Sequence, residues 1–442
     1  MLFEHLNEIT KNSIPFLILF CLVVICLCTL CEWHRKFQRK NKSFKISFKP
    51  FAHGIIFGKT GLFKVAYSPT QAEGHVICIG SSGSGKSSTL LIPSLRQWND
   101  GTYIAIDIAG DLDSNVPENP KFPKLIFEPE NPHTIPFNIF APVDQLDGKP
   151  DKQAEYLINL AFLIMPENKN MSDATAYFQN GGRKILIACL LAFCPEQDFP
   201  EIVEKICSHD YRDLFSLVDA CEYDLASEQL VTFRGSNERN IAGCLEALQT
   251  TLSLFRNPVV QNSIRRPRKG ELSVTMDSIE EHNMIVKISD SVLSVYSPIL
   301  RILTMQMLNY LSGRPKSLKT PILVALDEMA SLGGIDIIGS LRKLRKKHVR
   351  LLCCTQSITD IDLTYSRDER IAMMANFSFR ICLRASDLDT QEYFSRLIGA
   401  DPDDSHRRAV PPEEFDRLED DLILAYPGGW VRLRKNYYFK LF

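Results

Sequence analysis

Apolar positions along this chain fall into three kinds of run. The first is a single stretch, Ile14 to Cys31, with no charged residue. It is about the length that crosses a bilayer as a helix. The second kind is short and block-like: Val76-Ile-Cys-Ile79, Thr102–Asp107, Lys124–Glu128, Asn283–Ile288, Pro321–Leu326, Arg350–Gln356 and Ser378–Leu383. Continuous apolar blocks of this length predict strands buried on both faces. The third kind has helical spacing. Ile241, Cys244, Leu245, Leu248, Leu252 and Phe255 repeat at three and four residues, with Ser236 as the expected N-cap and Pro258 past the end. Ala154–Ile164 and Lys184–Phe193 are further helical stretches, and helices are expected near Ile338–Lys347 and Thr390–Leu397. Leu422–Tyr426, then Pro427-Gly-Gly429, then Trp430–Leu433 reads as a β-hairpin.

The order of these runs sets the expected organisation. Strand blocks sit at both ends of the chain's middle and helical patterns lie between them. The fold class is therefore α/β with an inserted all-α domain and an N-terminal transmembrane helix. The boundaries are residues 1–13 outside the membrane, 14–33 as the span, and 34–50 as a basic linker. Residues 51–149 and 259–442 form the α/β domain, and 150–258 the insert, at about 110 residues an ordinary domain size. Arg35, Lys36, Arg39, Lys40, Lys42 and Lys45 follow the span. By the positive-inside rule they place the bulk of the chain in the cytoplasm under the plasma (inner) membrane, with Trp33 at the interface. A cleaved signal peptide fits less well: Glu4 and Glu8 precede the only leader lysine, Lys11, and no small-x-small cleavage site follows.

Composition adds limits. At 442 residues, 45% hydrophobic and 24% charged, the chain has ordinary globular content. Its formal net charge of −2 provides no global attraction to nucleic acid, so any such contact must be local. The 13 cysteines are scattered, and the one C-x-x-C, Cys28 to Cys31, lies in the lipid-like run. Reduced thiols in the cytosol fit that scatter.

Chemistry concentrates at two strand ends. Gly80-Ser81-Ser82-Gly83-Ser84-Gly85-Lys86-Ser87 follows a strand block and, through Ser88, leads into Thr89-Leu-Leu-Ile92. Glycines let the backbone curl round an anion with successive N–H groups pointing inward at a helix N-terminus. Lys86 is placed to reach the β- and γ-phosphates of ATP, and the Ser87 hydroxyl to ligate Mg²⁺. Far downstream, Pro321–Leu326 ends in Asp327-Glu328. Asp327 would hold the Mg²⁺ shell, and Glu328 would orient and polarise the attacking water. Together the two elements predict an Mg²⁺-dependent ATP hydrolase. A compact P-loop domain places them one or two βα units apart. Here the chain's whole middle intervenes, which is why an insertion is expected.

Several groups of residues together resemble the TraG/TraD-like coupling proteins of type IV secretion and conjugation. The resemblance rests on His75–Ser88, Ile106-Asp-Ile-Ala-Gly-Asp-Leu112, Asn257-Pro-Val-Val260, Asp327-Glu-Met-Ala-Ser-Leu-Gly333, and Cys354-Thr-Gln-Ser357 followed by Asn376. It runs from about His53 to the C-terminus. It implies a RecA-like P-loop NTPase domain, a homohexameric ring, and delivery of a DNA–relaxase or protein substrate to a secretion channel. It also implies that Gln356 senses the γ-phosphate, the other reading being a strand-end glutamine that only satisfies backbone groups, and that Arg345 acts in trans on a neighbour's nucleotide. Two departures stand out. Ala109 occupies the place of the lysine in the family's D-x-K-G-[ED] motif, and one span is visible where relatives commonly have two.

Other features admit two readings each. Arg342, Lys343, Arg345, Lys346, Lys347 and Arg350 are either a solvated helix face or a contact for DNA phosphates. Arg265-Arg-Pro-Arg-Lys269 reads as a surface loop, and His209, His282 and His348 show no metal-ligand spacing. Competing functions are a coupling protein for protein effectors alone and a DNA pump of the septal type. The septal pumps carry more spans, a long linker and a DNA-reading module, none of which is visible here. Leu311-Ser-Gly-Arg314 lacks the full signature of an ABC ATPase.

Overall fold

A computed structural model describes residues 46–49, 52–61, 64–146, 148–167, 172–332 and 337–440. The expected outer segment 1–13, the span 14–33 and most of the basic linker lie outside the described residues.

Among the described residues, one sheet of twelve strands organises the fold. In chain order the strands are β1 (Ser47–Lys49), β2 (Gly54–Thr60), β3 (Lys64–Pro69), β4 (His75–Ile79), β5 (Thr102–Asp107), β6 (Lys124–Phe127), β7 (Asn283–Lys287), β8 (Ile322–Leu326), β9 (Val349–Thr355), β10 (Phe377–Cys382), β11 (Asp421–Tyr426) and β12 (Gly429–Arg434). Their spatial order is β1-β3-β2-β12-β11-β10-β4-β9-β8-β5-β7-β6. From β10 to β6 every neighbouring pair is parallel. On the other side, β11, β12, β2, β3 and β1 pair antiparallel. Every residue of β4, β5, β8 and β9 is buried, as the apolar blocks require of strands covered on both faces.

Two layers cover the sheet, and alternate side chains of one strand feed different layers. Val76 and Cys78 pack with Leu90, Leu91 and Trp98, and Ile77 and Ile79 face the other way. That second core is continuous with the helices between β6 and β7. Phe140 meets Phe199 edge-on at 6.0 Å, and Phe199 meets Phe255 at 5.3 Å.

The segment between β6 and β7 is helical: Ala141–Asp144, Pro150–Ile164, Asp173–Phe193, Phe199–Ser208, Tyr211–Asp219, Asp224–Leu230, Glu238–Leu252 and Pro258–Ser263. Asp173–Phe193 packs on Pro150–Ile164, Asp224–Leu230 and Glu238–Leu252. Close approach to the last of these explains three glycines. A Cβ on Gly181 would stand 2.3 Å from Cys244 Sγ, one on Gly182 2.8 Å from the Cys244 carbonyl, and one on Gly243 2.7 Å from the Phe178 ring. Local capping moves two expected boundaries. Asn237, not Ser236, accepts the cap hydrogen bond of Glu238–Leu252. Pro258 opens a new helix because the Asn257 side chain caps it and proline suits the first turn.

One described helix, within Asp290–Gly313, is long and apolar enough to cross a membrane. Half of that window is buried, and the helix Leu293–Gly313 packs against Pro150–Ile164 and Ile337–Leu344. Just past it, Arg314 is wholly buried. Its guanidinium donates to Glu280 Oε1 at 2.6 Å, to Glu280 Oε2 at 2.5 Å and to the Lys347 carbonyl at 2.8 Å. Replacing Arg314 with Met strands the Glu280 carboxylate, which should cost about 3–5 kcal/mol. Adding Glu280→Leu should return most of that loss. Urea midpoints of the single and double variants measure both; equal midpoints for wild type and Arg314→Met would refute the pair's role.

Candidate functional site

The site lies at the C-terminal ends of β4, β8 and β9. Strand β4 stops at Ile79, and the loop after it is tied to two neighbouring strands. Gly80 N donates to the Thr355 carbonyl at 3.1 Å, and Ser81 N to the Arg384 carbonyl at 2.8 Å. Gly80 has no room for a side chain: a Cβ would stand 2.6 Å from Ser84 Oγ and 2.8 Å from Leu383 Cβ. Gly83 and Gly85 have φ of +71° and +94°, which L side chains rarely adopt. The helix then opens at Ser87, and Thr89 Oγ1 donates to the Gly85 carbonyl at 2.6 Å.

Side chains of the loop converge on the end of β8. Ser87 Oγ donates to Asp327 Oδ1 at 3.0 Å, joining two residues 240 positions apart. Lys86 Nζ curls back to the Gly80 carbonyl at 2.8 Å. Asp327 is buried, and burial pushes its carboxyl up to about 6. Asp111 and Asp107 add to that rise, while the Ser87 hydrogen bond and Lys86 oppose it. Glu328 Oε1 is buried without a well-formed hydrogen bond, and desolvation lifts this carboxyl to about 7 against the pull of Lys86. Gln356 follows β9 and is exposed to the same cleft.

The cleft has a volume of about 440 Å³ and is lined by Ser82, Lys86, Ser87, Ser88, Asp327, Glu328 and Gln356, among others. Sequence reasoning gave no site role to Asp111, Asp290 and Ser331, which also line it. Asp111 is placed by a tight turn: Asp107 accepts from Gly110 N at 2.8 Å and Leu112 N at 3.1 Å. Asp290 stands shortly after β7, in no recognisable motif. Ala109 lines the cleft too, so no cation stands at that position.

The donor set suits a phosphate chain with a hard divalent cation. Ser84 Oγ is buried without a partner, and the space over Gly83 is open. Among the described residues no cluster of three or more His, Cys, Asp or Glu forms a metal cage. Mg²⁺ needs none, since it commonly takes one or two protein oxygens and completes its shell from phosphate and water.

The basic run separates into different environments. Arg345 lies in a turn, Arg345–Lys347, before β9 begins, at the sheet edge opposite the glycine loop. It pairs with Glu73 at 2.6 Å, and the fold does not bring it to its own chain's cleft. Arg350 is buried, donating to the Gly74 and Pro69 carbonyls at 2.9 and 3.1 Å, and so leaves the expected phosphate-contacting surface. Lys347 is half-buried and donates to the Arg314 carbonyl. Arg342, Lys343 and Lys346 are exposed.

Comparison with known proteins places this geometry. Residues 32–402 match the family model described as type IV secretory system conjugative DNA transfer. A conjugal transfer protein TraG of Escherichia coli is 24% identical over 387 residues, covering 79% of this chain and 59% of the relative. A probable conjugal transfer protein TraG of Sinorhizobium fredii is 21% identical, covering 77% and 54%. The chain thus spans somewhat more than half the length of these curated relatives. Among solved structures, the unbound bacterial conjugative coupling protein TrwBdeltaN70 shares the fold, with a TM-score of 0.66, 19% identity, and coverage of 83% of this chain and 85% of that one. TrwB in complex with the GTP analogue GDPNP scores 0.65 at 20% identity, covering 83% and 86%. The glycine loop, the paired acids of β8 and the matched residues together show that this chain belongs to the type IV secretory system conjugative DNA transfer family.

Proposed function

We propose that this chain is a membrane-anchored ATPase coupling protein, which recruits a DNA–relaxase or protein substrate and feeds it to a type IV secretion channel. The observation that carries the reading is the hydrogen bond from Ser87 to Asp327 inside the glycine-loop cleft. Solved TrwB complexes hold GDPNP, an ATP analogue, and ADP with Mg²⁺, and those are the ligands this donor set suits.

In this reading the loop N–H groups and Lys86 bind the phosphates, and Ser87 and Asp327 hold Mg²⁺, which supplies charge neutralisation at the phosphoryl group. Glu328 takes the proton from the attacking water, a task its raised pKa favours at neutral pH. Gln356 orients that water or reads the terminal phosphate. The helices from Pro150 to about Pro258 form the inserted all-α domain facing the cytoplasm, and the apolar run 14–33 anchors the chain. Arg345 sits away from its own cleft, paired with Glu73, and in this reading it acts on the nucleotide of a neighbour in a homohexameric ring. Exposed Arg342, Lys343 and Lys346 are the DNA-facing cations.

Lys86→Ala should abolish ATP binding in equilibrium titration. Glu328→Gln should retain binding and lower turnover by about 10²–10⁴-fold; an undiminished rate would remove Glu328 as the base.

For Arg345, mixing Arg345→Ala with Lys86→Ala subunits should recover measurable hydrolysis, because some interfaces then carry both intact partners. Mixtures as inactive as either variant alone would rule out action in trans.

DNA binding has its own signature. Lys343→Gln with Lys346→Gln should reduce the salt dependence of single-stranded DNA binding, by about 0.7 in slope for each phosphate no longer neutralised. ATP binding should be untouched. An unchanged slope would assign those lysines to a solvated face and favour a protein substrate.

A further inference from the structure

The two ends of the cleft differ chemically. Asp327, Glu328 and Gln356 mark the end where a terminal phosphate reacts. A glycine loop holds the inner phosphates along its backbone and directs Lys86 to the outer ones. In the nucleotide-binding reading the nucleoside leaves on the other side, past Ser88. The segment following β12 stands there.

That segment is a strap fastened at several points. Lys435 is buried and donates through Nζ to the Leu418 and Glu419 carbonyls at 3.2 and 2.5 Å. Tyr437 Oη donates to Asp420 Oδ1 at 3.4 Å. Tyr438 N donates to the Ser88 carbonyl at 3.0 Å, so the strap is hydrogen-bonded to the first turn of the glycine-loop helix itself. Arg96, from the end of that helix, lies 4.9 Å from the Tyr438 ring centroid and donates to the Tyr438 carbonyl at 3.4 Å. The result holds the Tyr437 ring beside the loop: a Cβ on Gly85 would stand 3.7 Å from Tyr437 Cε1. Phe439 packs against the same ring at 5.4 Å, and Lys440 Nζ lies 4.2 Å from its centroid.

We propose that Tyr437 is the stacking platform for the base of the bound nucleotide, with Lys440 and the base on opposite faces of the ring. The inference rests on the nucleotide-binding reading above. The Tyr437 ring is tethered by its own hydroxyl to Asp420 and by the backbone hydrogen bond from the adjoining Tyr438 to Ser88, so a base can stack on it without the full cost of ordering the strap. Stacking uses the π-face that every base possesses. The platform therefore adds affinity for adenine and guanine nucleotides alike and none for a phosphate chain alone.

The test is calorimetric titration of the full chain in detergent with Mg²⁺ and AMP-PNP, GMP-PNP or inorganic tripolyphosphate. Tyr437→Ala should weaken both nucleotides about tenfold, the scale of one base–aromatic stack, and leave tripolyphosphate unchanged. Tyr437→Phe should bind all three like wild type. Equal loss of tripolyphosphate in Tyr437→Ala would show that the strap merely supports the loop, and undiminished nucleotide affinity would show that the ring takes no part. Either result overturns the inference while leaving the phosphate site standing. If the wild-type chain bound neither nucleotide nor tripolyphosphate, the nucleotide reading would fail and this inference with it.

Discussion

The contact between Ser87 and Asp327 is the constraint on which the arrangement of the molecule depends. A hydroxyl at the start of a helix must meet a carboxylate at the end of a strand, and the strands that carry them are not neighbours. Strand β9 lies between β4 and β8, pairing in parallel with both. All three therefore end on the same edge. Parallel pairing makes this possible, because only parallel strands bring successive C-terminal ends, with their loops, to one side of a sheet. The complete burial of β4, β8 and β9 follows from the same requirement, since parallel strands need crossover segments on the sheet's faces. Apolar sequence at these strands is thus the condition for a polar site at their ends.

The long interval between the two motifs is accommodated where it disturbs this edge least. It leaves the sheet after β6 and returns at β7, and those strands pair with each other in parallel register from Lys124–Asn283 to Phe127–Val286. The helices thus occupy one crossover at the margin of the sheet, away from β4, β9 and β8. They are not a loosely tethered addition. The aromatic chain of Phe140, Phe199 and Phe255 runs through them, and Arg266 crosses back to Asp144 at 2.8 Å. A shared apolar core transmits displacement more directly than a flexible linker, because close-packed interiors yield little. A substrate-recruiting role for these helices would gain a mechanical path to the sheet from that packing.

Much of this was legible in the sequence, for definite reasons. Strands covered on both faces declare themselves as uninterrupted apolar blocks, so β4, β5, β8 and β9 were predictable to within a residue or two. Gly83 and Gly85 announce a backbone conformation that few other residues tolerate. Three things were not legible. The strands β1 to β3 lie in the antiparallel part of the sheet, pair chiefly with one another, and mix glycine and polar residues with their apolar ones, so none reads as an apolar block. The helix Asp173–Phe193 begins well before its apolar stretch, because the exposed first turns are held by the Ser172 cap and not by burial. Arg350 looks like one more surface cation in a basic run. Only the fold shows it pinned under Gly74 and Pro69, where carbonyl oxygens replace water around its guanidinium. Of the site residues given no role from sequence, Asp111 is held by the local turn after β5, whereas Asp290 reaches the cleft only because β7 ends beside it.

In the nucleotide-binding reading, the cleft's electrostatics favour a cation beside the phosphates. Asp111, Asp290, Asp327 and Glu328 surround one ammonium, that of Lys86, and Asp327 and Glu328 have raised pKa values because burial strips them of water. A bare polyphosphate entering such a site would meet carboxylate charge in a desolvated space, where repulsion is weakly screened. A divalent ion held by Asp327 and Ser87 would offset that repulsion, and Ser87 is already hydrogen-bonded to Asp327. The lysine of the related motif would have softened this repulsion; Ala109 in its place leaves the cleft more acidic. Of the two buried acids, Asp327 would be committed to the metal. Glu328, one residue further along, keeps an unshared oxygen. In the proposed reading the two carboxylates take separate roles although both line the cleft: Asp327 is tied to Ser87, and Glu328 Oε1 has no such partner.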